Sequence, residues 1–302
     1  MKYFAYEIGG LKGLGAQMGS DFRGLLSTDA LYPGDLLTLV RAGPEALAAA
    51  GKVLGKADPV DIHRVSFLPP ISNPGKVVCV GLNYREHSSE VGFETPPFPT
   101  LFGRFNSSLI GHRAPIELPS CSEQLDYEGE MVAVVGAPLR DVAADEAIKY
   151  VAGYSIFNDV SIRDYQFKSP QWTAGKNFDA TGAFGPFFVP AADLPPGGRG
   201  LQLTTRLSGA VVQSACTDDM VFSVAELVSI CSQFMTLEPG DVLVTGTPAG
   251  VGVGRKPPLW MKSGDICEVE IDGIGILSNP IRQRTDSEHG RSMPLNPAHS
   301  WS

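Results

Sequence analysis

The sequence predicts a β-rich α+β fold, in which a small N-terminal α/β domain precedes a larger domain built mostly from strands. Short apolar segments rich in β-branched residues, such as 131–135, alternate with Gly/Pro turns between residues 75 and 282. Helical patterns are few in this part, which argues against an alternating βαβ architecture. A Pro/Gly-rich segment at 69–75 marks a boundary, so we expect domains at 1–70 and 75–282.

The N-terminal domain is predicted to contain one strand and two helices. Residues 1–7 form the candidate strand, and a Pro-Gly-Asp turn at 33–35 precedes a helix that Gly43 ends. The alanine-rich stretch 45–54 predicts the second helix, because Pro44 suits a first helical turn.

The larger domain is predicted to begin with a buried strand at 76–81. Helices are expected at 145–151 and 224–235, and short strands with Gly/Pro turns fill the rest. The C-terminal segment 283–302 is polar and has no apolar period, which predicts a flexible tail.

Bulk composition excludes several classes of function. The net charge of −9 over 302 residues argues against a general binder of nucleic-acid phosphates. Five widely spaced cysteines without a CxxC pair indicate neither a disulfide framework nor a zinc site. No signal-peptide pattern and no apolar stretch of about 18 residues is present. We therefore expect a cytoplasmic protein without membrane or nucleic-acid partners.

Two glutamates directly precede the apolar run 131–135. On a strand Glu128 and Glu130 point to the same face, about 7 Å apart from twice the rise per residue. Two ionised carboxylates beside a buried run repel each other and resist desolvation, whereas a hard divalent cation removes both penalties. The sequence thus predicts a cation site, and the alternative is a solvated strand end with two surface acids.

A third acid, Asp159, ends another short apolar strand. An aspartate at a strand end is also typical of a turn or a helix N-cap, so this residue alone leaves both interpretations open.

The stretch 83–90 carries a candidate general base. On a helical turn His87 and Glu90 lie at positions i and i+3 and face each other. A carboxylate next to an imidazole orients it and raises its basicity, which suits proton abstraction near neutral pH. The alternative is a chance pair on a solvated helix.

Two glycine-rich stretches do not predict nucleotide binding. Around Gly175 and Lys176, Pro170 stands where a phosphate-binding loop needs its first glycine, and Asn177 replaces the required Ser/Thr. The stretch 250–254 does not match GxGxxG and precedes no convincing helix.

Taken in order, these motifs resemble the fumarylacetoacetate hydrolase family over residues 75–282. The matching pieces are GLNYREHSSE (81–90), DYEGEMVAVVG (126–136), YSIFNDVSIRDYQ (154–166), GKNFD (175–179), GP (185–186) and GDVLVTGTPAGVG (240–252). The resemblance implies a mixed β-sandwich roll around Mg²⁺, in some members Mn²⁺ or Ca²⁺, usually assembled as a homodimer. The N-terminal region is similar to the accessory domain of many members.

The resemblance also implies roles for individual residues. It makes Glu128, Glu130 and Asp159 the metal ligands, and Lys176 the lysine near the developing negative charge of the substrate. The remaining matches are the substrate-site residues Tyr84, Arg85, Arg163, Gln166 and Thr247, and the water-activating lid dyad His87 and Glu90. Many members carry Lys where this chain has Arg104, and since the two donate differently, the resemblance does not define the substrate contacts there.

The expected activity is hydrolysis of a C–C bond in an acylpyruvate or another β-dicarbonyl or 2-oxo acid. A bound metal would stabilise the enolate, while His87 and Glu90 would activate water. Decarboxylation, keto–enol isomerisation and dehydration use the same enolate chemistry and are the alternatives. A non-catalytic metal-binding scaffold is disfavoured, because the acids, the lysine and the candidate dyad are all present.

Overall fold

The computed structural model describes residues 1–85 and 97–284. Within these ranges the chain is strand-rich and α+β, as the sequence predicts. The α-helices are α1 (Leu36–Ala42), α2 (Pro44–Leu54), α3 (Ala144–Ala147), α4 (Arg163–Gln166), α5 (Thr173–Lys176) and α6 (Val224–Phe234). None of these described helices has both the length and the apolar character needed to cross a bilayer.

The strands fall into one large sheet, one smaller sheet and one two-stranded ribbon. In chain order they are β1 (Lys2–Ile8), β2 (Leu11–Met18), β3 (Asp21–Leu26), β4 (Ser66–Leu68), β5 (Val77–Gly81), β6 (Thr100–Gly103), β7 (Leu109–Ile110), β8 (Ile116–Leu118), β9 (Leu125–Asp126), β10 (Gly129–Val135), β11 (Val151–Asp159), β12 (Ser161–Ile162), β13 (Gly182–Pro190), β14 (Gln202–Leu207), β15 (Ala210–Cys216), β16 (Val242–Val244), β17 (Ile266–Ile271) and β18 (Gly275–Gln283).

The N-terminal region forms an antiparallel meander, β1 to β3, covered by α1 and α2. Asp35 caps α1 by accepting the backbone N–H of Thr38 at 2.8 Å. Gly43 ends the helix with φ of 94°, a conformation that glycine adopts at low cost. The next helix begins at Pro44, where a missing N–H costs nothing. These elements agree with the sequence prediction.

The large sheet has the order β3-β2-β1-β13-β11-β10-β16-β5-β6, with β4 added to β1 and β7 to β13. Strand β1 joins β13 where Tyr3 pairs with Phe188, so the N-terminal region shares a sheet with the rest. The predicted domain boundary at 70–75 stays a prediction, because a shared sheet does not say whether either part folds alone. The predicted tail begins at the last residue of β18, and 285–302 lie outside the described ranges.

The second sheet, β15-β14-β17-β18-β8, packs across β10 and β11. Both central strands are buried on both faces, because α1 and α2 lie over one side and this sheet lies over the other. This explains why β10 reads as a continuous apolar run rather than an alternating one.

The two helices predicted in the larger domain fare differently. Helix α6 is present, and Ser223 and Glu226 form a capping box at its start. The helix predicted at 145–151 is only partly correct, since α3 is followed by a 3₁₀ turn (Ile148–Tyr150) and β11 begins at Val151. Val151 pairs with Val135 across the sheet, and this pairing overrides the local helical pattern.

Candidate metal centre

The three predicted acids meet at one end of the β10–β11 pair. Glu128 immediately precedes β10, and Asp159 is the last residue of β11. The backbone N–H of Asp159 donates to the Glu128 carbonyl at 2.8 Å, which holds the two positions side by side. Oxygens of Glu128, Glu130 and Asp159 all lie within 4.8 Å of one another, and the residues are 5%, 2% and 0% exposed. The alternative of solvated surface acids is therefore wrong.

This cluster suits a divalent cation. Burial, followed by the charges of Asp159 and Glu128, raises the pKa of Glu130 well above its ordinary value. The backbone N–H of Gly246 donates to Glu130 and offsets part of this penalty. Oxygens bound to one hard cation lie at most ~4–5 Å apart, twice a metal–oxygen distance, so the spacing fits a single ion. The structure carries the ligand set, and it does not distinguish among Mg²⁺, Mn²⁺ and Ca²⁺.

Lys176 lies inside the cluster, as the last residue of α5. Its Nζ is 2.6 Å from Glu128 Oε2 and 2.6 Å from Asp159 Oδ2, and the side chain is 1% exposed. Burial alone would lower the pKa of Lys176, but the carboxylates of Asp159 and Glu128 outweigh it and raise the pKa. Lys176 is therefore a proton-bearing cation in direct contact with two of the three acids.

Arg163 begins α4 and connects Glu128 to two further side chains. Its guanidinium pairs with Asp126 Oδ2 at 2.8 Å and Glu128 Oε1 at 2.7 Å. Its Nη1 donates to Gln166 Oε1 at 2.8 Å, so both predicted substrate residues of this helix turn are positioned together. Glu128 thus has one oxygen beside Arg163 and the other beside Lys176.

Asp126 explains the glycine-rich stretch at 250–254. It accepts the backbone N–H groups of Gly252 and Val253 at 2.7 and 3.0 Å while pairing with Arg163. A Cβ at Gly252 would lie 1.9 Å from the Leu259 carbonyl oxygen, so a side chain cannot fit. The stretch serves to wrap a buried carboxylate rather than a dinucleotide. Asp126 was not among the predicted site residues, although it opens the 126–136 motif.

A small cavity of about 40 Å³ adjoins the acids. Polar groups on its wall include the predicted residues Arg163, Gln166, Lys176 and Thr247, and its apolar wall is formed by Val80, Phe102, Phe167, Trp172 and Val253. An enclosed cavity with few polar groups is typical of a site for a small ligand.

Thr247 is held by a residue that the sequence did not indicate. Its hydroxyl donates to the Gly129 carbonyl at 3.0 Å and accepts from Gln213 Nε2 at 2.8 Å. Gln213 is 2% exposed and also accepts the Gly129 N–H at 3.0 Å through Oε1. It comes from β15 of the second sheet, so only the packing of the two sheets brings it to the site.

A second cavity of about 220 Å³ lies next to the Thr247 turn, and Tyr84, Arg85, Ser214, Ala215, Asp219, Pro248 and Ala249 line it. Tyr84 is buried, and burial followed by the charge of Glu130 raises the pKa of its hydroxyl. His87 and Glu90 lie outside the described residues, so the dyad stays a prediction.

Arg104 does not contribute to the described lining of either cavity. Its side chain is fully buried and pairs with Asp159 Oδ1. The structure thereby answers the question that the Lys-to-Arg difference raised, because this residue contacts a predicted metal ligand. No sequence pattern links two residues 55 positions apart in this way.

The fold and the site define a strand-rich α+β protein in which carboxylates and a lysine converge beside a small cavity. A family model described as fumarylacetoacetate (FAA) hydrolase C-terminal matches residues 76–282. The chain belongs to the fumarylacetoacetate hydrolase family, as the sequence motifs predicted.

Relatives with assigned names include a tautomerase, an isomerase and a hydrolase. Oxaloacetate tautomerase Fahd2a, mitochondrial, of Rattus norvegicus is 38% identical over 271 residues, which cover 89% of this chain and 86% of the rat protein. Fumarylacetoacetate hydrolase from Exiguobacterium antarcticum has a TM-score of 0.82 and 36% identity, covering 94% of this chain and 100% of its own. The 5-carboxymethyl-2-hydroxymuconate delta-isomerase of Mycobacterium smegmatis gives a TM-score of 0.74 and 31% identity, with the same coverage.

Proposed function

We propose that this protein is a metal-dependent tautomerase that interconverts the keto and enol forms of a 2-oxo dicarboxylic acid of the oxaloacetate class. The observation that carries the proposal is the ammonium of Lys176, held 2.6 Å from both Glu128 and Asp159 at the edge of the small cavity. A fixed positive charge beside a cation site stabilises an enolate, the species common to both forms. The names of the rat and Mycobacterium relatives favour tautomerisation over hydrolysis.

The cation we propose is Mg²⁺, held by Glu128, Glu130 and Asp159, with Mn²⁺ or Ca²⁺ as alternatives. When bound, such a cation supplies Lewis acidity toward a carbonyl oxygen and its developing negative charge. The raised pKa of Glu130 is an independent reason for a cation, since the burial and repulsion that cause it are relieved by positive charge.

The reaction moves one proton from carbon to oxygen. In the keto form a proton leaves the carbon next to the carbonyl, the C–H electron pair becomes part of a C=C bond, and the oxygen gains a proton. Lys176 donates from Nζ to that oxygen, and its raised pKa keeps it charged until the enolate forms. We assign removal of the carbon-bound proton to His87, oriented by Glu90, as the sequence predicts.

Substrate carboxylates require donors that are already positioned. Arg163 lies on the cavity wall with its guanidinium fixed by Asp126, and Thr247 is fixed by Gln213. Preorganised donors of this kind lose little freedom on binding. The second cavity, which Tyr84 and Arg85 line, offers room for the remainder of the substrate.

The experiment follows enol oxaloacetate by its ultraviolet absorbance, with Mg²⁺ and with excess chelator, against a protein-free control. We expect acceleration that requires the cation and that Lys176→Met reduces by at least about 100-fold, the scale of losing one charge-stabilising donor. Lys149→Met is the matched control, because Lys149 pairs with Glu146 on the surface and is 64% exposed. A wild-type rate equal to the protein-free rate would refute the proposal.

Hydrolysis of an acylpyruvate or another β-dicarbonyl is the second candidate, which the name of the Exiguobacterium structure favours. It differs in requiring water activation by His87 and Glu90. Cleavage of an acylpyruvate faster than oxaloacetate tautomerisation would favour it. The same panel, with pyruvate release from oxaloacetate and turnover of a dienoate, measures the decarboxylase and dehydratase alternatives. Tight Mg²⁺ binding without turnover of any substrate would indicate a scaffold.

The family resemblance also leads us to propose a homodimer. Light scattering of the purified full chain measures its mass, and a monomer at micromolar concentration would contradict this proposal.

A further inference from the structure

Arg104 is a buried cation to which the proposed reaction assigns no part. It follows β6, and its side chain is fully buried beside the acid cluster. Arginine is almost never buried this completely unless its donors are paired. The partners of its guanidinium therefore indicate what the residue is for.

All three guanidinium nitrogens have partners on one side of the cluster. Nη1 pairs with Asp159 Oδ1 and donates to the Val160 carbonyl at 3.2 Å. Nη2 donates to Thr181 Oγ1 at 2.8 Å, and Nε donates to Ser108 Oγ at 3.3 Å. A lysine ammonium cannot reach partners in this planar arrangement, because it is a single point donor.

The surrounding residues leave space shaped for a guanidinium. The group lies over the ring of Phe157 at 5.6 Å, within cation–π range. A Cβ at Gly182 would lie 3.1 Å from Nε and 3.2 Å from Nη2, so the absence of a side chain there makes room for Arg104.

The consequence falls on the orientation of the Asp159 carboxylate. Oδ1 faces Arg104, whereas Oδ2 faces Lys176 and the other acids. A carboxylate held this way presents one oxygen to an ion at the cluster. Mg²⁺ takes six ligands in a near-ideal octahedron, while Ca²⁺ accepts more oxygens and often two from one carboxylate.

We propose that Arg104 is a positioning residue that keeps Asp159 in this one-oxygen orientation and thereby makes the site prefer Mg²⁺ to Ca²⁺. The inference rests on the metal centre of the proposed function and adds the reason for its choice of ion. Arg163 similarly faces Glu128 Oε1, but it also lines the cavity, so only Arg104 can be changed without altering a group on the cavity wall.

The test measures dissociation constants for Mg²⁺ and for Ca²⁺ by calorimetry on the metal-stripped full chain, without substrate. Both ions carry the same charge, so losing the guanidinium charge changes both affinities alike, and their ratio isolates positioning. We expect Arg104→Met to shift the ratio about tenfold toward Ca²⁺, within the range for residues that orient metal ligands. Arg104→Lys and Thr181→Val should shift it in the same direction by less.

The matched control is Arg206→Met, because Arg206 pairs with Glu270 on the second sheet and is 30% exposed. It should leave the ratio unchanged. Circular dichroism and thermal unfolding without metal identify any variant that fails to fold, and Thr181→Val then provides the test, since it keeps the Arg104 charge. Folded variants with the wild-type ratio would overturn the proposal while leaving the metal centre intact. A wild-type protein that binds neither ion would overturn both.

Discussion

Replacing Lys176 with methionine tests the central arrangement of charges without any assumption about substrate. The variant removes an ammonium that lies 2.6 Å from each of two buried carboxylates. Removing one partner of a buried ion pair costs ~3–5 kcal/mol, because it leaves an uncompensated charge. Both carboxylates keep an arginine, Arg163 for Glu128 and Arg104 for Asp159, so we expect the lower end, ~3 kcal/mol.

The assay is thermal unfolding followed by circular dichroism, first with chelator and then with Mg²⁺. At ~2–4 °C per kcal/mol for a chain of this size, the melting temperature without metal should fall by ~6–12 °C. Mg²⁺ at 100 times its dissociation constant stabilises by ~2.7 kcal/mol. The increase on adding a given Mg²⁺ concentration should be larger in the variant than in the wild type, because one like charge beside the ion is gone.

The exposed pair Lys149–Glu146 provides the control, since surface ion pairs contribute ~0–1 kcal/mol. Lys149→Met should therefore change the melting temperature little, with or without Mg²⁺. A Lys176→Met protein that melts within ~2 °C of wild type in chelator would show that the ammonium does not compensate the acids. A variant destabilised as expected but indifferent to Mg²⁺ would refute the cation site.

Three further predictions concern single residues. Glu128→Ala should abolish Mg²⁺-dependent activity, and an unchanged Mg²⁺ affinity in calorimetry would contradict its assignment as a ligand. His87→Ala should keep Mg²⁺ affinity but lower the turnover rate ~100-fold or more, and full turnover would exclude the dyad. Burial, followed by the Arg113 charge, lowers the pKa of His112 to about 4, so the unfolded chain binds the proton first as pH falls. Stability should therefore be complete above pH ~6.5 and fall by ~3 kcal/mol toward pH ~4, and His112→Gln, unlike His63→Gln at an exposed position, should flatten this decline in urea titrations.

The sequence predicts the site where the chemistry lies on one strand. Glu128 and Glu130 stand two residues apart beside a β-branched run, and period-two geometry alone places them together. The same local reasoning does not extend to Asp126 and Arg104, whose partners lie 126 and 55 positions away. Charges that meet only through sheet packing leave no periodic signal in the chain.

The predicted helix at 145–151 illustrates the same boundary between local and distant effects. Its first residues follow their helical preference in α3, but Val151 is taken by pairing with β10. The roles of Tyr84, Arg85, Gln166 and Thr247 came from motif resemblance rather than periodicity. Their positions on the walls of two neighbouring cavities agree with those roles without testing them.

The backbone wrap around Asp126 has a consequence for how this protein can diversify. Gly252 has no room for a side chain, and Asp126, Arg163 and Glu128 hold one another through every buried charge between them. Changes there would disturb several ionic contacts at once, so selection for a new substrate has little freedom on that wall. The opposite rim, with Tyr84 and the exposed Arg85, accepts substitutions at far lower cost. New substrate preferences should therefore arise at that rim, while the ionic wall is inherited unchanged.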